Sequence, residues 1–171
     1  PSTTMQEIEK TFHCPVIESY GMTEASHQMT SNHLPPGNRK GTKVGFAAGP
    51  EVSVMDNNHN ILENGKIGEI VIRGKNVTRG YLNNPQANKD SFVDGWFRTG
   101  DQGFYDKEGF LQLTGRIKEI INKGGEKISP LEIDDAIMKH ESVFQGITFP
   151  IVHNKLGEEV AAAIVLKNDL Q

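Results

Sequence analysis

Short apolar runs separated by turns rich in glycine and asparagine constrain the fold of this chain more than any other feature. Val52 and Val54 alternate with polar residues, the turn segment 56–60 interrupts the pattern, and residues 67–73 form a second apolar run. Alternation with a period of two favours a strand, and two such runs across a turn predict a β-hairpin. Residues 110–113 predict another strand, so we expect mainly β-structure in the first two thirds of the chain.

Two predicted helices have recognisable starts. Asn84 is a suitable N-cap and Pro85 suits the first helical position, which predicts a short helix over residues 85–92. Ser129 and Glu132 have the spacing of a capping box, in which both side chains satisfy amides at the start of a helix. The pattern therefore changes from β-rich to mixed after a boundary that we place at residues 116–119.

The composition argues against several classes of protein. The 171 residues carry 18 Lys and Arg against 22 Asp and Glu, a formal net charge of −4 without a block of one sign. This balance predicts no nucleic-acid partner. The longest apolar stretch, residues 160–166, is far shorter than the roughly 20 residues of a membrane span, so none is expected. The single cysteine, Cys14, excludes a disulfide framework and is expected to be a small buried hydrophobe.

Two motifs in the first part of the chain carry residue types suited to a nucleotide, and each also has an ordinary structural reading. Thr23 and Glu24 place a hydroxyl beside a carboxylate, the hard-oxygen pairing that Mg²⁺ prefers, and Tyr20 offers a flat face for a base. A plain strand end with a turn at Gly21 explains this segment equally well. Asp101 follows a glycine and suits ribose hydroxyls, or it is a turn aspartate bonded to its own backbone.

Two motifs in the second part are equally ambiguous alone. Arg116 suits a phosphate or ribose contact, but a surface arginine is the commoner case. Gly124 and Gly125 permit a close backbone approach to a ligand, and a simple hairpin turn accounts for them as well.

The order and spacing of these motifs resemble the adenylate-forming superfamily, which comprises acyl-CoA synthetases, peptide synthetase adenylation domains and beetle luciferases. The resemblance covers almost the whole chain. Its matching segments are Tyr20-Gly21-Met22-Thr23-Glu24, residues 68–74 with Gly80-Tyr81, residues 96–101, residues 115–119 and residues 124–132.

The resemblance implies a fold and a division of the chain. We expect the α+β class, with a distorted β-barrel subdomain over residues 1–115, the C-terminal part of the large AMP-binding domain. A hinge at residues 116–119 and a truncated small α+β lid domain over residues 120–171 would follow. Because the chain begins at Pro1 without an initiator Met, we expect a fragment that lacks the remainder of its own chain.

The resemblance also implies a reaction and a role for each site residue. Family members join a carboxylic acid to ATP through an acyl-adenylate, and most then transfer the acyl group to coenzyme A, so the implied cofactors are ATP, Mg²⁺ and coenzyme A. The implied roles are adenine stacking by Tyr20, lining of the adenine and acyl pocket by Gly21 and Met22, phosphate contact by Thr23, Mg²⁺ ligation by Glu24 and ribose binding by Asp101.

In the hinge segment, Arg116 would contact the ribose–phosphate region in the adenylating state and Lys118 would lie at the hinge itself. In the lid, Gly124 and Gly125 would line the pantetheine tunnel. The family's upstream phosphate loop and late catalytic lysine have no counterpart in this sequence. We therefore expect the 171 residues alone to be inactive.

The residues after Glu24 are similar to the oxalate–CoA ligase branch of the family. His27 is a candidate substrate residue, because an imidazole can donate to a second carboxylate, although a histidine bonded to backbone is a competing interpretation. We expect an acid–CoA ligase acting on oxalate or another small acid, in the cytoplasm or peroxisome. A carrier-loading adenylation domain, a luciferase-like enzyme and an inactive binding module remain alternatives.

Overall fold

The computed structural model describes residues 2–167, with side chains from residue 4. The chain divides into two compact units. One is His13–Leu113, and the other combines the segment from Thr114 onward with the N-terminal helix α1 (Ser2–Phe12). Helices and antiparallel sheets occur in separate segments, which confirms the predicted α+β class. The hinge at residues 116–119 remains a prediction.

The first unit is built on two small sheets. One consists of β1 (Ser19–Met22), β2 (His27–Ser31) and β3 (Phe46–Ala47). The other consists of β4 (Glu51–Met55), β5 (Gly68–Arg73), β6 (Phe92–Val93), β7 (Trp96–Tyr105) and β8 (Leu111–Arg116). The last three residues of β8 fall in the second unit. A bridge between Gly45 and Leu111 joins them, so the strands form a curled half-barrel. A short helix, α2 (Pro85–Ser91), precedes β6, and Asn84 caps it by accepting from the Ala87 amide at 3.1 Å.

The hairpin predicted from the apolar alternation is confirmed as β4 and β5. Val54 pairs with Ile70, and Asp56 accepts the amides of Asn58 and Asn60 in the intervening turn. Strand β5 lies between β4 and β7, and its three central residues are fully buried. The main core cluster comprises Tyr20, Ala25, Met29, Val54, Ile70, Ile72, Phe97 and Leu111. Tyr20, the first residue of the predicted nucleotide motif, and Ala25, which directly follows the motif, both pack in this core.

The second unit contains a four-stranded sheet and a helix. The sheet consists of β9 (Ile121–Lys123), β10 (Glu126–Ile128), β11 (Val143–His153) and β12 (Gly157–Leu166), in the order β10-β9-β12-β11. Helix α3 (Pro130–Ile137) begins at Ser129, whose hydroxyl accepts the Glu132 amide at 3.3 Å. Strand β11 carries a proline and lies at the sheet edge, as a strand with a missing amide donor requires.

Two further observations concern composition. Cys14 is exposed, so the expectation of a buried cysteine is wrong. It lies in the segment between α1 and β1, outside both elements. Among residues 2–167, no helix has the length and apolar character needed to cross a membrane.

Asp106 stabilises the turn between β7 and β8. Its Oδ1 accepts the amides of Glu108 and Phe110, both at 2.9 Å, and its Oδ2 accepts from the Lys43 ammonium. The hydrogen bond from Lys43 is the main cause that lowers the pKa of Asp106 to about 2.

We predict that this pair makes the fold sensitive to acid. The folded pKa of Asp106 is below its unfolded value of about 3.9, so the ionised carboxylate stabilises the folded state above about pH 4, and this contribution is lost as the pH falls towards 2. Urea unfolding across this range should show the loss in the wild type and a smaller loss in Lys43→Met, which should also be less stable near neutral pH. Equal pH slopes in the two proteins would contradict the assignment to Lys43.

Candidate functional site

The motif from Tyr20 to Glu24 occupies β1 and a single 3₁₀ turn, Thr23–Ala25. Strand β1 pairs with β2 through a bulge, since Tyr20 faces Thr30 but Gly21 faces Gln28. A Cβ on Gly21 would lie 1.8 Å from the His27 carbonyl oxygen, so the position requires glycine for close backbone contact. The expected turn at Gly21 is wrong, because the left-handed conformations occur later, at Ser26 (φ 55°) and His27 (φ 87°).

A buried hydrogen bond joins two of the predicted motifs. The Tyr20 hydroxyl donates to Asp101 Oδ2 at 2.5 Å, across 81 residues of sequence. Tyr20 is 9% exposed and Asp101 8% exposed. Hydrogen bonds to an ionised acceptor are shorter and stronger than neutral ones. The contact therefore fixes the Asp101 carboxylate beside the base-stacking candidate, and this contact is not the backbone bond of an ordinary turn aspartate.

The backbone after β5 holds the turn that contains Glu24. The Thr78 amide donates to the Glu24 carbonyl at 2.6 Å, and the Asn76 side-chain amide donates to the Ala25 carbonyl at 2.8 Å. The Tyr81 hydroxyl donates to Glu24 Oε1 at 2.8 Å. Burial, followed by the Glu24 carboxylate, raises the pKa of Tyr81, so its hydroxyl stays a donor at neutral pH.

Sequence reasoning assigned no role to Asn76 or Tyr81. For Tyr81 the available signal was the Gly80-Tyr81 pair, which belongs to the matching motifs. No role in binding or catalysis had been given to that pair. The Asn76 contact had no comparable signal, because a loop asparagine is common and its partner carbonyl is distant in sequence.

Glu24 is the candidate Mg²⁺ ligand. It is half-buried, and among the described residues no group of three or more His, Cys, Asp or Glu side chains is arranged to hold a metal. Mg²⁺ at nucleotide sites is commonly held by one or two carboxylates together with substrate phosphates. A single carboxylate therefore fits a metal that arrives with a nucleotide, and Thr23, which is exposed, adds a hydroxyl beside it.

His27 is exposed and lies opposite Met22 in the β1–β2 register. It is thus adjacent in space to the residue that the resemblance places along the acyl pocket.

The remaining predicted residues belong to the other unit. Arg116 ends β8, and its carbonyl accepts the amides of Glu119 and Ile120 at 2.9 and 3.1 Å. Lys118 lies in that turn. Gly124 (φ 61°) and Gly125 (φ 97°) form the turn between β9 and β10. Their roles towards a nucleotide or coenzyme A stay predictions.

Comparison with known proteins agrees with these features. The model of the AMP-binding enzyme family matches residues 1–82. The chain is 55% identical to oxalate–CoA ligase of Saccharomyces cerevisiae, over 96% of this chain and 31% of that protein. It is 48% identical to oxalate–CoA ligase of Arabidopsis thaliana, over 94% of this chain and 32% of that protein.

A solved structure has the same fold. ATP-bound MatB from Rhodopseudomonas palustris superposes with a TM-score of 0.90 at 34% identity, covering 98% of this chain and 33% of that one. The chain is therefore similar to AMP-binding enzymes over residues 1–82 and to acid–CoA ligases over nearly its whole length. It spans about a third of the length of the curated relatives it matches.

We predict a measurable coupling between Tyr20 and Asp101. Tyr20→Phe leaves a buried carboxylate oxygen without its hydroxyl donor, which should cost about 1–3 kcal/mol of unfolding free energy. In a double-mutant cycle with Asp101→Asn, urea unfolding should give a favourable interaction energy between the two side chains. Tyr81→Phe, which removes the hydroxyl of a more exposed tyrosine, is the control and should cost less. Additive effects of Tyr20→Phe and Asp101→Asn would contradict the coupling.

Proposed function

We propose that the protein is an AMP-forming acid–CoA ligase that activates a small carboxylic acid. In the first step a carboxylate oxygen bonds to the α-phosphorus of ATP and the bond to pyrophosphate breaks, giving an acyl-adenylate. In the second step the sulfur of coenzyme A bonds to the acyl carbon and AMP leaves. The chain described here would supply part of the nucleotide site.

The observation that carries this proposal is the hydrogen bond between Tyr20 and Asp101. It brings a flat aromatic ring and a carboxylate together from strands β1 and β7. Such a pair suits an adenine face and a ribose diol. Relatives named as CoA ligases, at 55% and 48% identity, support the same reading.

Thr23 and Glu24 are the proposed catalytic residues. The turn that carries them is held at the Glu24 and Ala25 carbonyls, so its side chains would be oriented before a nucleotide binds. We propose that Glu24 holds Mg²⁺ and that Thr23 contacts a phosphate oxygen. Bound Mg²⁺ would neutralise charge that develops on the phosphoryl oxygens.

The predicted residues of the second unit keep the roles that the resemblance implies. We propose that Arg116 approaches the ribose–phosphate region, that Lys118 lies at a hinge, and that the loop of Gly124 and Gly125 receives the pantetheine arm of coenzyme A. A small domain that presents two faces in succession is an established type of conformational step in enzymes.

Activity of the full natural chain tests the proposal. With ATP, Mg²⁺, coenzyme A and oxalate, we expect AMP and an acyl-CoA to form in equal amounts. Asp101→Ala should lower kcat/KM for ATP by about tenfold or more, because a ribose contact contributes on the order of 1–2 kcal/mol.

The control for that experiment is the 171-residue chain alone, which should release no pyrophosphate above a blank without protein. AMP formation that does not depend on an acid would contradict the ligase assignment. Transfer to a carrier protein but not to coenzyme A would favour the carrier-loading alternative.

We predict that His27 affects the acid more than the nucleotide. In the full natural chain, His27→Ala should raise KM for oxalate severalfold through loss of a donor to the second carboxylate, while KM for ATP changes little. Initial-rate kinetics with each substrate varied in turn measures both values. Equal changes in the two KM values would remove the argument for oxalate.

A further inference from the structure

The segment that presents Asp101 is a bulge in the pairing of β5 with β7. Glu69 pairs with Gln102 and Val71 pairs with Arg98, so residues 99–101 lie opposite Ile70 alone. The Thr99 hydroxyl donates to the Ile70 carbonyl at 2.7 Å and accepts the Asp101 amide at 3.1 Å. Through these two hydrogen bonds, Thr99 holds the bulge to β5 and also holds the Asp101 amide.

The Glu69 side chain provides a second set of hydrogen bonds to the bulge. Its Oε1 accepts the Gly100 amide at 3.0 Å, and its Oε2 accepts from Arg98 Nε at 2.8 Å and Nη2 at 2.7 Å. The Glu69 side chain is only 12% exposed. Both carboxylate oxygens are therefore committed to Gly100 and Arg98, which lie one and three residues before Asp101.

Gly100 is the residue of this segment with a positive φ. Its φ is 75°, and a Cβ there would meet nothing within 4 Å, so glycine is required for conformation and not for space. Because glycine restricts its own backbone least, an external contact must hold this conformation. The bond from the Gly100 amide to Glu69 is such a contact.

We propose that Glu69 is a positioning residue, which fixes the Gly100 bulge and so directs the Asp101 carboxylate towards the ribose hydroxyls of the nucleotide. The proposal rests on the ribose role given to Asp101 in the proposed function. Glu69 itself would touch no substrate. It acts through the backbone of Gly100 and the guanidinium of Arg98.

The chain offers a matched control in the same sheet. Glu51 on β4 accepts from Arg73 on β5, through Oε1 at 3.3 Å (Nε) and Oε2 at 2.6 Å (Nη2), so the same two guanidinium nitrogens again pair with a glutamate. This pair is 63% and 47% exposed and does not involve the bulge. Glu51→Gln therefore removes a similar charge pair without changing the support of Asp101.

The test compares Glu69→Gln, Glu51→Gln and the wild type in the full natural chain. Hydrogen exchange at the Gly100 amide reports the bulge directly. Calorimetry with AMP and with a dideoxy analogue that lacks both ribose hydroxyls reports the diol contact. In Glu69→Gln we expect exchange at Gly100 to be about tenfold faster or more, and the preference for AMP over the analogue to fall towards one. Glu51→Gln should match the wild type in both.

Unchanged exchange at Gly100, or an unchanged preference for AMP, would overturn the proposal. Arg98→Met gives a second variant if Glu69→Gln is poorly folded, and it should accelerate Gly100 exchange while leaving Thr99 in place. A wild type that binds AMP and its analogue equally would contradict the ribose role of Asp101, and the exchange rate would still decide whether Glu69 holds the bulge.

Discussion

The buried hydrogen bond between Tyr20 and Asp101 is the contact on which the candidate site depends. Tyr20 also packs in the core cluster with Ile70 and Phe97, so its ring is fixed by apolar neighbours while its hydroxyl is fixed by a carboxylate. A carboxylate that is 8% exposed loses much of its hydration and needs such a donor. The same hydrogen bond therefore offsets part of the desolvation cost of burying the carboxylate, and it sets the geometry of two residues proposed to bind a nucleotide.

Irregular strand pairing is how the fold presents these side chains. In the pairing of β1 with β2 the extra residue is Met29 of β2, opposite the step from Tyr20 to Gly21, and strand β7 is bulged at residues 99–101. Bulges redirect side chains at the edge of regular pairing. In both cases a glycine makes the irregularity feasible, but for different reasons, since Gly21 admits a neighbouring carbonyl and Gly100 adopts a positive φ. The glycines of the two motifs are thus structural requirements of the bulges.

Local patterns predicted the regular elements well. The hairpin of β4 and β5, the Asn84 cap and the Ser129 cap follow from residue types within a few positions of each other, where propensity and hydrogen bonding are decided locally. Strand β7 was missed because its glycine and aspartate are typical of a turn. Only pairing with β5, about thirty residues earlier, makes that segment extended.

The side-chain contacts of the site could not be predicted from the sequence and are visible only in the folded structure. Nothing in the sequence near Glu69 indicates that its carboxylate reaches the Gly100 amide, and nothing near Tyr81 indicates its bond to Glu24. The Glu69 contact depends on the register of β5 with β7, where a shift of one residue would turn its side chain to the opposite face. The Tyr81 contact joins two segments outside the strands, which only the tertiary fold brings together. The motif resemblance located these residues without explaining them. Their common feature is that each carboxylate of the site is held by a donor from a distant motif, which ties the separate motifs of the first unit into one hydrogen-bonded arrangement.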